Sequence, residues 1–220
     1  MGSQTPKQFL TLGGLPVLVH TLRVLEAADS IGEVILVAPE ADREYCLREI
    51  VTRHRLSKVH KIVTGGERRQ DSVRHGLSAI ESNPELVLVH DAVRPFLTRE
   101  MIVGVLEQAA KHGAAVVGVP MRDTVKQVGA DRLIEGTVDR RSLWLAQTPQ
   151  AFRLELLREA HREAEQQGFH ATDDAQLVEH LGHRVALVDG SAENIKITRP
   201  EDLAIGEAIL SARAKQTRDR

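Results

Sequence analysis

The sequence predicts a doubly wound α/β layer on a mostly parallel sheet, and three observations carry that expectation. Four short apolar runs recur along the first 120 positions: EVILVA (33–38), HKIVTG (60–65), ELVLVHD (85–91) and GAAVVGVP (113–120). The runs are continuous rather than alternating, as in parallel strands covered on both faces. Stretches with helical spacing lie between them, and strand–helix–strand alternation marks an α/β layer.

The elements follow in order. Leu18, Leu22 and Leu25 line one face of a helix ahead of the first strand. Val73, Leu77 and Ile80 do so after the second strand, and Met101, Val105 and Ala109 after the third. The alternation breaks at 121–150, where MRDTVKQVGADRLIEGTVDRRSLWLAQTPQ is polar, β-leaning and interrupted by GAD. This reads as two strands joined by a turn. A hairpin so poor in apolar positions is not stable alone. It needs another surface, which a second copy of the chain would supply. Helices follow near 153–166 and 173–181, then a strand around HRVALVDG (183–190). In NIKITRPEDL, Thr198 and Glu201 have capping-box spacing for a last helix, and the tail AKQTRDR is expected to fray. The whole, 1–220, reads as one domain with the arm 121–150 inserted.

Composition excludes several classes. A formal charge of −2 gives no basic surface for nucleic acid, and 3% aromatic residues leave little for base stacking. No stretch approaches the ~20 apolar residues of a membrane span, and the first residues lack the order of a signal peptide. A single cysteine, Cys46, excludes an internal disulfide and fits a reducing cytoplasm; its expected place is the buried face of a helix. Of the histidines, the close pair His180 and His183 has no Glu or Cys at ligand spacing and reads as solvated helix-end residues.

In an open parallel sheet, ligands bind beyond the carboxyl ends of the strands. After the second strand comes GGERRQDSV, where two glycines allow close backbone approach and Ser72 opens a helix whose N-terminus favours anions. After the third comes HDAVRP, which puts Asp91 and Arg94 at the rim. After the last short strand, NIKIT projects Lys196. At the front, Lys7 stands in a Pro-Lys-Gln-Phe loop just ahead of an apolar helix, where a phosphate-gripping lysine would sit. Cations converging with one carboxylate suit a phosphorylated substrate with a metal ion. Plainer readings stay open: Asp91 and Arg94 also fit a simple ion pair, GG an ordinary turn, and TDDA (172–175) a helix N-cap. Spacing alone supports an α/β enzyme acting on a phosphate ester.

Taken together, PKQFLTLGG, GGERRQDSV, VHDAVRP, RDTVK, TVDRRSLW, QTPQAF, TDDA and NIKITRPEDL resemble one family, the 2-C-methyl-D-erythritol 4-phosphate cytidylyltransferases of the non-mevalonate isoprenoid pathway. The stretches run in the family's order across nearly the whole chain. The resemblance implies a Rossmann-like nucleotidyltransferase sheet with a protruding hairpin as dimerisation arm. It implies transfer of CMP from CTP to methylerythritol phosphate, with Mg²⁺ bound mainly through the CTP phosphates. Lys7 resembles the lysine that steadies the CTP phosphates, and Gly66, Glu67 and Ser72 the cytosine-recognition turn. Asp91 and Ala92 would lie by the ribose and phosphates. Arg94, Thr148, Thr172 and Lys196 resemble the groups around methylerythritol phosphate. Thr124 and Arg140 lie on the arm, which in the family reaches the partner's site of a homodimer; Arg140 and Lys196 would position the attacking phosphate. A cytidylyltransferase for another alcohol phosphate, such as a pentitol phosphate, and an inactive nucleotide-binding homologue are the alternatives.

The departure is at the front. The family begins with an apolar strand and an A-A-G-x-G-x-R-M-G type loop, of which Met1–Gly2 matches only the end. The resemblance places that strand between the 33–38 and 85–91 runs, so a slot is expected there, with an upstream strand and loop outside this chain. Unpaired buried backbone groups cost roughly 1–3 kcal/mol each, and the chain by itself is expected to be unstable or inactive.

Overall fold

The structure is a computed structural model and describes residues 5–218; Met1–Gly2, matched to the end of the family loop, lies outside them. The chain enters through a 3-10 turn, Lys7–Phe9, and a ribbon of β1 (Thr11–Leu12) and β2 (Leu15–Pro16). Gly13 and Gly14 turn this ribbon at φ +56° and +80°, which glycine adopts at little cost. Then come α1 (Val17–Ala27), β3 (Val34–Ala38), and α2 (Arg43–Tyr45) running into a π-helical stretch, Cys46–Thr52. They are followed by β4 (Val59–Thr64), α3 (Arg69–Ser78), β5 (Leu86–Val89), α4 (Arg99–His112) and β6 (Ala114–Pro120). The arm holds β7 (Val125–Val128) and β8 (Ile134–Val138). Beyond it are β9 (Trp144–Arg153), α5 (Leu154–Gln167), α6 (Asp174–His180), β10 (Ala186–Asp189) and α7 (Pro200–Arg218).

The main sheet has the order β10-β6-β9-β5. β10 is parallel to β6, while β9 is antiparallel to both β6 and β5, so every strand except β9 runs one way. Alternate residues of each strand face opposite layers. Ala114 and Phe152 pack with Leu154, Leu157 and Ala160 of α5. Ala115, Val117 and Ala151 pack with Met101, Val105 and Ala109 of α4. Helices thus cover both faces, the doubly wound arrangement expected. Thr98 caps α4 by accepting from the Met101 amide, and Gly113 ends it at φ +90°.

β3 and β4 form a separate parallel pair. Among the described residues no strand pairing joins β3 to β5. A cavity of about 900 Å³ lies between them, lined by Ile35 and Val37 from one side, Leu86 and Leu88 from the other, and Leu22 and Leu77 from the helices. This is the slot expected between the 33–38 and 85–91 runs. It also corrects one expectation: β5, read as covered on both faces, is only partly buried at all four residues.

Three further differences have local causes. The hairpin turn falls at GAD, but the paired arm is 125–138; residues 144–150, grouped with the arm on polarity, lie in β9, where Gln147, Thr148 and Gln150 are buried. Their side chains find hydrogen-bond partners inside, which polarity alone does not reveal. The last helix is capped by Asp202, not Glu201, with its Oδ2 accepting from the Thr198 and Arg199 amides at 2.7 and 2.8 Å. Of the tail expected to fray, 214–218 is helical, a regular continuation of α7, and 219–220 lie outside the described residues. Cys46 is buried as expected, in the π-helical stretch, and burial pushes its thiol up to about 11.

Candidate active site

Asp91 stands two residues beyond β5, and the closed side of the sheet holds it. Val89 of β5 pairs with Gln150 of β9. Two residues further along each antiparallel strand, the Asp91 amide donates to Thr148 Oγ1 at 3.0 Å. The next loop folds back as well, with the Arg94 amide donating to the Asp91 carbonyl at 3.0 Å. The Thr21 hydroxyl of α1 donates to the Ala92 carbonyl at 2.9 Å.

Three cations meet the Asp91 carboxylate. Lys196 Nζ is 2.8 Å from Oδ2, Arg69 Nε 3.2 Å from Oδ1, and Arg94 Nε 3.7 Å from Oδ2. Burial alone would raise the carboxyl pKa, but Lys196 and Arg69 outweigh it and hold it at about 2. Arg94 also donates Nη1 to the Asn194 carbonyl at 2.8 Å. Asn194, fully buried, donates to the Thr148 carbonyl and to Gln147 Oε1 at 2.9 and 3.2 Å. The loop carrying Lys196 is therefore tied to β9. His90 Nε2 lies 3.0 Å from the Arg94 carbonyl and must donate there, and burial pushes the ring down to about 4.

The glycine turn is built closely. The Gly66 amide donates to Ser72 Oγ at 3.1 Å, and a Cβ on Gly66 would collide with that of Asp71. Ser72 does not open the helix: α3 starts at Arg69, with Asp71 accepting from the Arg68 amide at 3.2 Å, and Ser72 lies one turn in. Glu67 is exposed in the turn.

Of the residues singled out from sequence, Asp91, Ala92, Arg94, Thr148 and Lys196 form one cluster. Among the described residues, the others make no hydrogen bond or ion pair with it. Lys7 is exposed in its 3-10 turn. Thr172 is exposed ahead of α6, its amide and hydroxyl both donating to Gln176 Oε1. Thr124 and Arg140 are exposed on the arm, and the Arg140 guanidinium donates to the Arg122 carbonyl.

Sequence reading missed Arg69, Asp174 and His161. Asp173 is the N-cap of α6, accepting from the Gln176 amide at 3.0 Å, so half of the plain reading of TDDA holds. Asp174 is a different matter: it is 1% exposed and accepts from Arg69 Nη1 at 2.6 Å. Its Oδ1 is 3.1 Å from Nε2 of His161, itself 2% exposed. A signal was available. Asp174 shares a helical face with Leu177 and Val178, and His161 one with Leu154 and Leu157. A charge on an apolar face requires a buried partner.

A carboxylate ringed by cations, beyond the strand ends of a mostly parallel α/β sheet, defines a class: enzymes that bind and react phosphate esters. Comparison with known proteins narrows it. The profile of the 2-C-methyl-D-erythritol 4-phosphate cytidylyltransferase family matches residues 1–212. A protein of that description from Pelotomaculum thermopropionicum is 48% identical over 213 residues, covering 97% of this chain and 90% of the relative. One from Syntrophus aciditrophicus is 47% identical over 210 residues, covering 96% and 90%. The crystal structure of 2-C-methyl-D-erythritol 4-phosphate cytidylyltransferase from Thermus thermophilus superimposes with a TM-score of 0.80 at 41% identity, over 94% of each chain. That of 4-diphosphocytidyl-2C-methyl-D-erythritol synthase from Anaerococcus prevotii gives 0.85 at 32% identity, over 93% of each. The chain belongs to the 2-C-methyl-D-erythritol 4-phosphate cytidylyltransferase family, whose members are nucleotidyltransferases.

Proposed function

We propose that this chain transfers CMP from CTP to 2-C-methyl-D-erythritol 4-phosphate, releasing pyrophosphate, in the cytoplasmic synthesis of isoprenoid precursors. A phosphate oxygen of the acceptor attacks the α-phosphorus of CTP; the new P–O bond forms as the bond to the β-phosphate oxygen breaks. Both reactants are anions, so the protein's work is to neutralise charge and align them, with no general base required. The observation that carries the reading is the Lys196–Asp91–Arg94 cluster, tied to β9 through Thr148 and the Asn194 loop. Asp91 keeps Lys196 and Arg94 gathered at the rim for the acceptor phosphate. The Gly66–Ser72 turn, with Glu67, takes the cytosine, Ala92 lies by the ribose, and Lys7 steadies the triphosphate. Thr148 and Thr172 serve the acceptor.

A divalent cation, Mg²⁺, completes the reading, and the residues fit it in a limited way. Among the described residues no cluster of three or more His, Cys, Asp or Glu side chains is placed to cage a metal. Asp91 is already ringed by cations. Mg²⁺ is commonly held by substrate phosphates with few protein ligands, so it would arrive on CTP, where it supplies charge neutralisation. The arm exposes Val128, Leu133, Ile134 and Val138, which supports a homodimer in which Thr124 and Arg140 serve the partner's site. Among the described residues no helix is long and apolar enough to cross a membrane.

The test is pyrophosphate release from CTP with methylerythritol phosphate or a pentitol phosphate as acceptor. Turnover should favour methylerythritol phosphate, and Lys196→Ala should lower it on the order of 10²–10³-fold, as for other donors to developing anionic charge. Faster turnover of the pentitol phosphate would reassign the acceptor.

A further inference from the structure

We infer that Asp174 and His161 are positioning residues that act through Arg69 to decide which oxygen of Asp91 is left for Lys196. The inference deepens the proposed function and rests on its placing of Lys196 at the acceptor phosphate.

Contacts run without a break from the buried face of α5 to the rim. His161 on α5 meets Asp174 Oδ1 at 3.1 Å; an ionised carboxylate only accepts, so Nε2 of the ring donates. Asp174 on α6 receives Arg69 Nη1 at 2.6 Å on its other oxygen. Arg69 on α3 gives Nε to Asp91 Oδ1 at 3.2 Å, and Asp91 Oδ2 receives Lys196 at 2.8 Å. Each carboxylate thus accepts one close contact on each oxygen from a different partner, with Arg94 Nε a longer 3.7 Å from Asp91 Oδ2.

The guanidinium is the pivot. It is a planar fork that readily grips a carboxylate with two parallel N–H bonds. Here it does not grip Asp91 that way: Asp174 holds Nη1, and of the Nε–Nη2 edge turned towards Asp91 only Nε makes contact, on Oδ1; the pull on Nη1 fixes how far the fork can turn. Oδ1 alone is taken, and Oδ2 remains for the ammonium. Without the charge on Asp174, Arg69 is free to turn both arms onto Asp91. It would then occupy both oxygens and displace Lys196. His161 holds the other oxygen of Asp174 and so fixes the direction from which that carboxylate pulls. A buried apolar residue would fill the space of Asp174 with less desolvation, but it would not orient Arg69.

The test reads Lys196 directly. Reductive methylation of the folded chain, followed by mass spectrometry, reports how available each lysine is, and Asp91→Asn serves as the control that frees Lys196. Asp174→Asn should raise labelling of Lys196 several-fold, towards the Asp91→Asn level, with Lys58 and Lys126 unchanged. His161→Gln, which keeps a donor, should label as the unmodified chain does, and His161→Phe should label more. In turnover, Asp174→Asn should lower kcat on the order of 10–100-fold, the usual cost of removing a group behind a functional residue, with KM for CTP unchanged. If Asp174→Asn unfolds and all lysines label, His161→Phe, which leaves Arg69 intact but removes the donor behind Asp174, carries the same expectation at Lys196. Unchanged Lys196 labelling in a folded Asp174→Asn or His161→Phe protein, against a rise in Asp91→Asn, overturns the inference. A labelling change without CTP turnover by any form, the unmodified chain included, instead overturns the functional reading and leaves the positioning intact.

Discussion

β5 and β6 flank β9 on its two sides, and both are short apolar runs, yet they stand in different surroundings. β6 has β10 on its far edge and helices over both faces; Ala114, Ala115 and Val117 are fully buried there. β5 is the more hydrophobic run, Leu-Val-Leu-Val, and none of its residues is fully buried, because its far edge meets the slot. Burial is decided by neighbours on both edges and both faces, and residue type only makes it worthwhile. The comparison also explains how the rim is held. Asp91 extends from the open strand, but its amide partner, Thr148, and the Asn194 loop belong to the closed side.

The largest expected effect lies in the cores themselves. Leu157, fully buried between α5 and the sheet, should cost about 2–5 kcal/mol when changed to Ala, the usual range for a leucine truncated in a tight core. Leu88, partly buried beside the slot, should cost less, about 1–2 kcal/mol, since part of its surface is already exposed. Urea midpoints of the two variants measure the contrast. Equal costs would mean that the slot is filled in solution and that the comparison fails.

The elements were legible because each carries its own period: the four apolar runs and the helical stripes lie within a residue or two of the observed strands and helices. β9 was not, since its middle, Gln-Thr-Pro-Gln (147–150), is polar and its partners lie far along the chain; polar residues satisfied at long range look like loop in one dimension. The same holds at the site. Asp91, Arg94 and Lys196 could be read from their places after strands, whereas Arg69 looked like one more charge in a polar turn. Only the helices α3, α5 and α6, brought together, show that Arg69, His161 and Asp174 belong to one chain of contacts.

The rim should declare itself in acid. The folded pKa of His90 is lowered from 6.5 to about 4, so the unfolded chain takes up that proton first, and its share of stability is lost as pH falls from about 6.5 towards 4. Asp91 is lowered from 3.8 to about 2; its share is complete above 3.8 and is lost as pH falls through 2. At 1.36 kcal/mol per pKa unit, these correspond to about 3 and about 2 kcal/mol. Denaturant midpoints against pH should therefore fall in two stages. His90→Gln should flatten the upper stage and Asp91→Asn the lower; an upper stage that persists without His90 would assign it elsewhere.

The smallest effect asks which side holds the rim. Two threonines reach it, Thr148 from β9 on the closed side and Thr21 from α1 beside the slot, and both are buried. Thr148 Oγ1 accepts from the Asp91 amide, whereas the Thr21 hydroxyl donates to the Ala92 carbonyl. Valine in place of either keeps the shape and removes the hydrogen bond. An N–H left without an acceptor is the costlier orphan, because a carbonyl has two lone pairs and tolerates losing one partner. Thr148→Val should cost about 1–2 kcal/mol and Thr21→Val about 0.5–1 kcal/mol. Exchange of the Asp91 amide with deuterium should quicken in Thr148→Val and hold steady in Thr21→Val. Quicker exchange in Thr21→Val alone would place the anchor of Asp91 on the slot side, reversing the comparison.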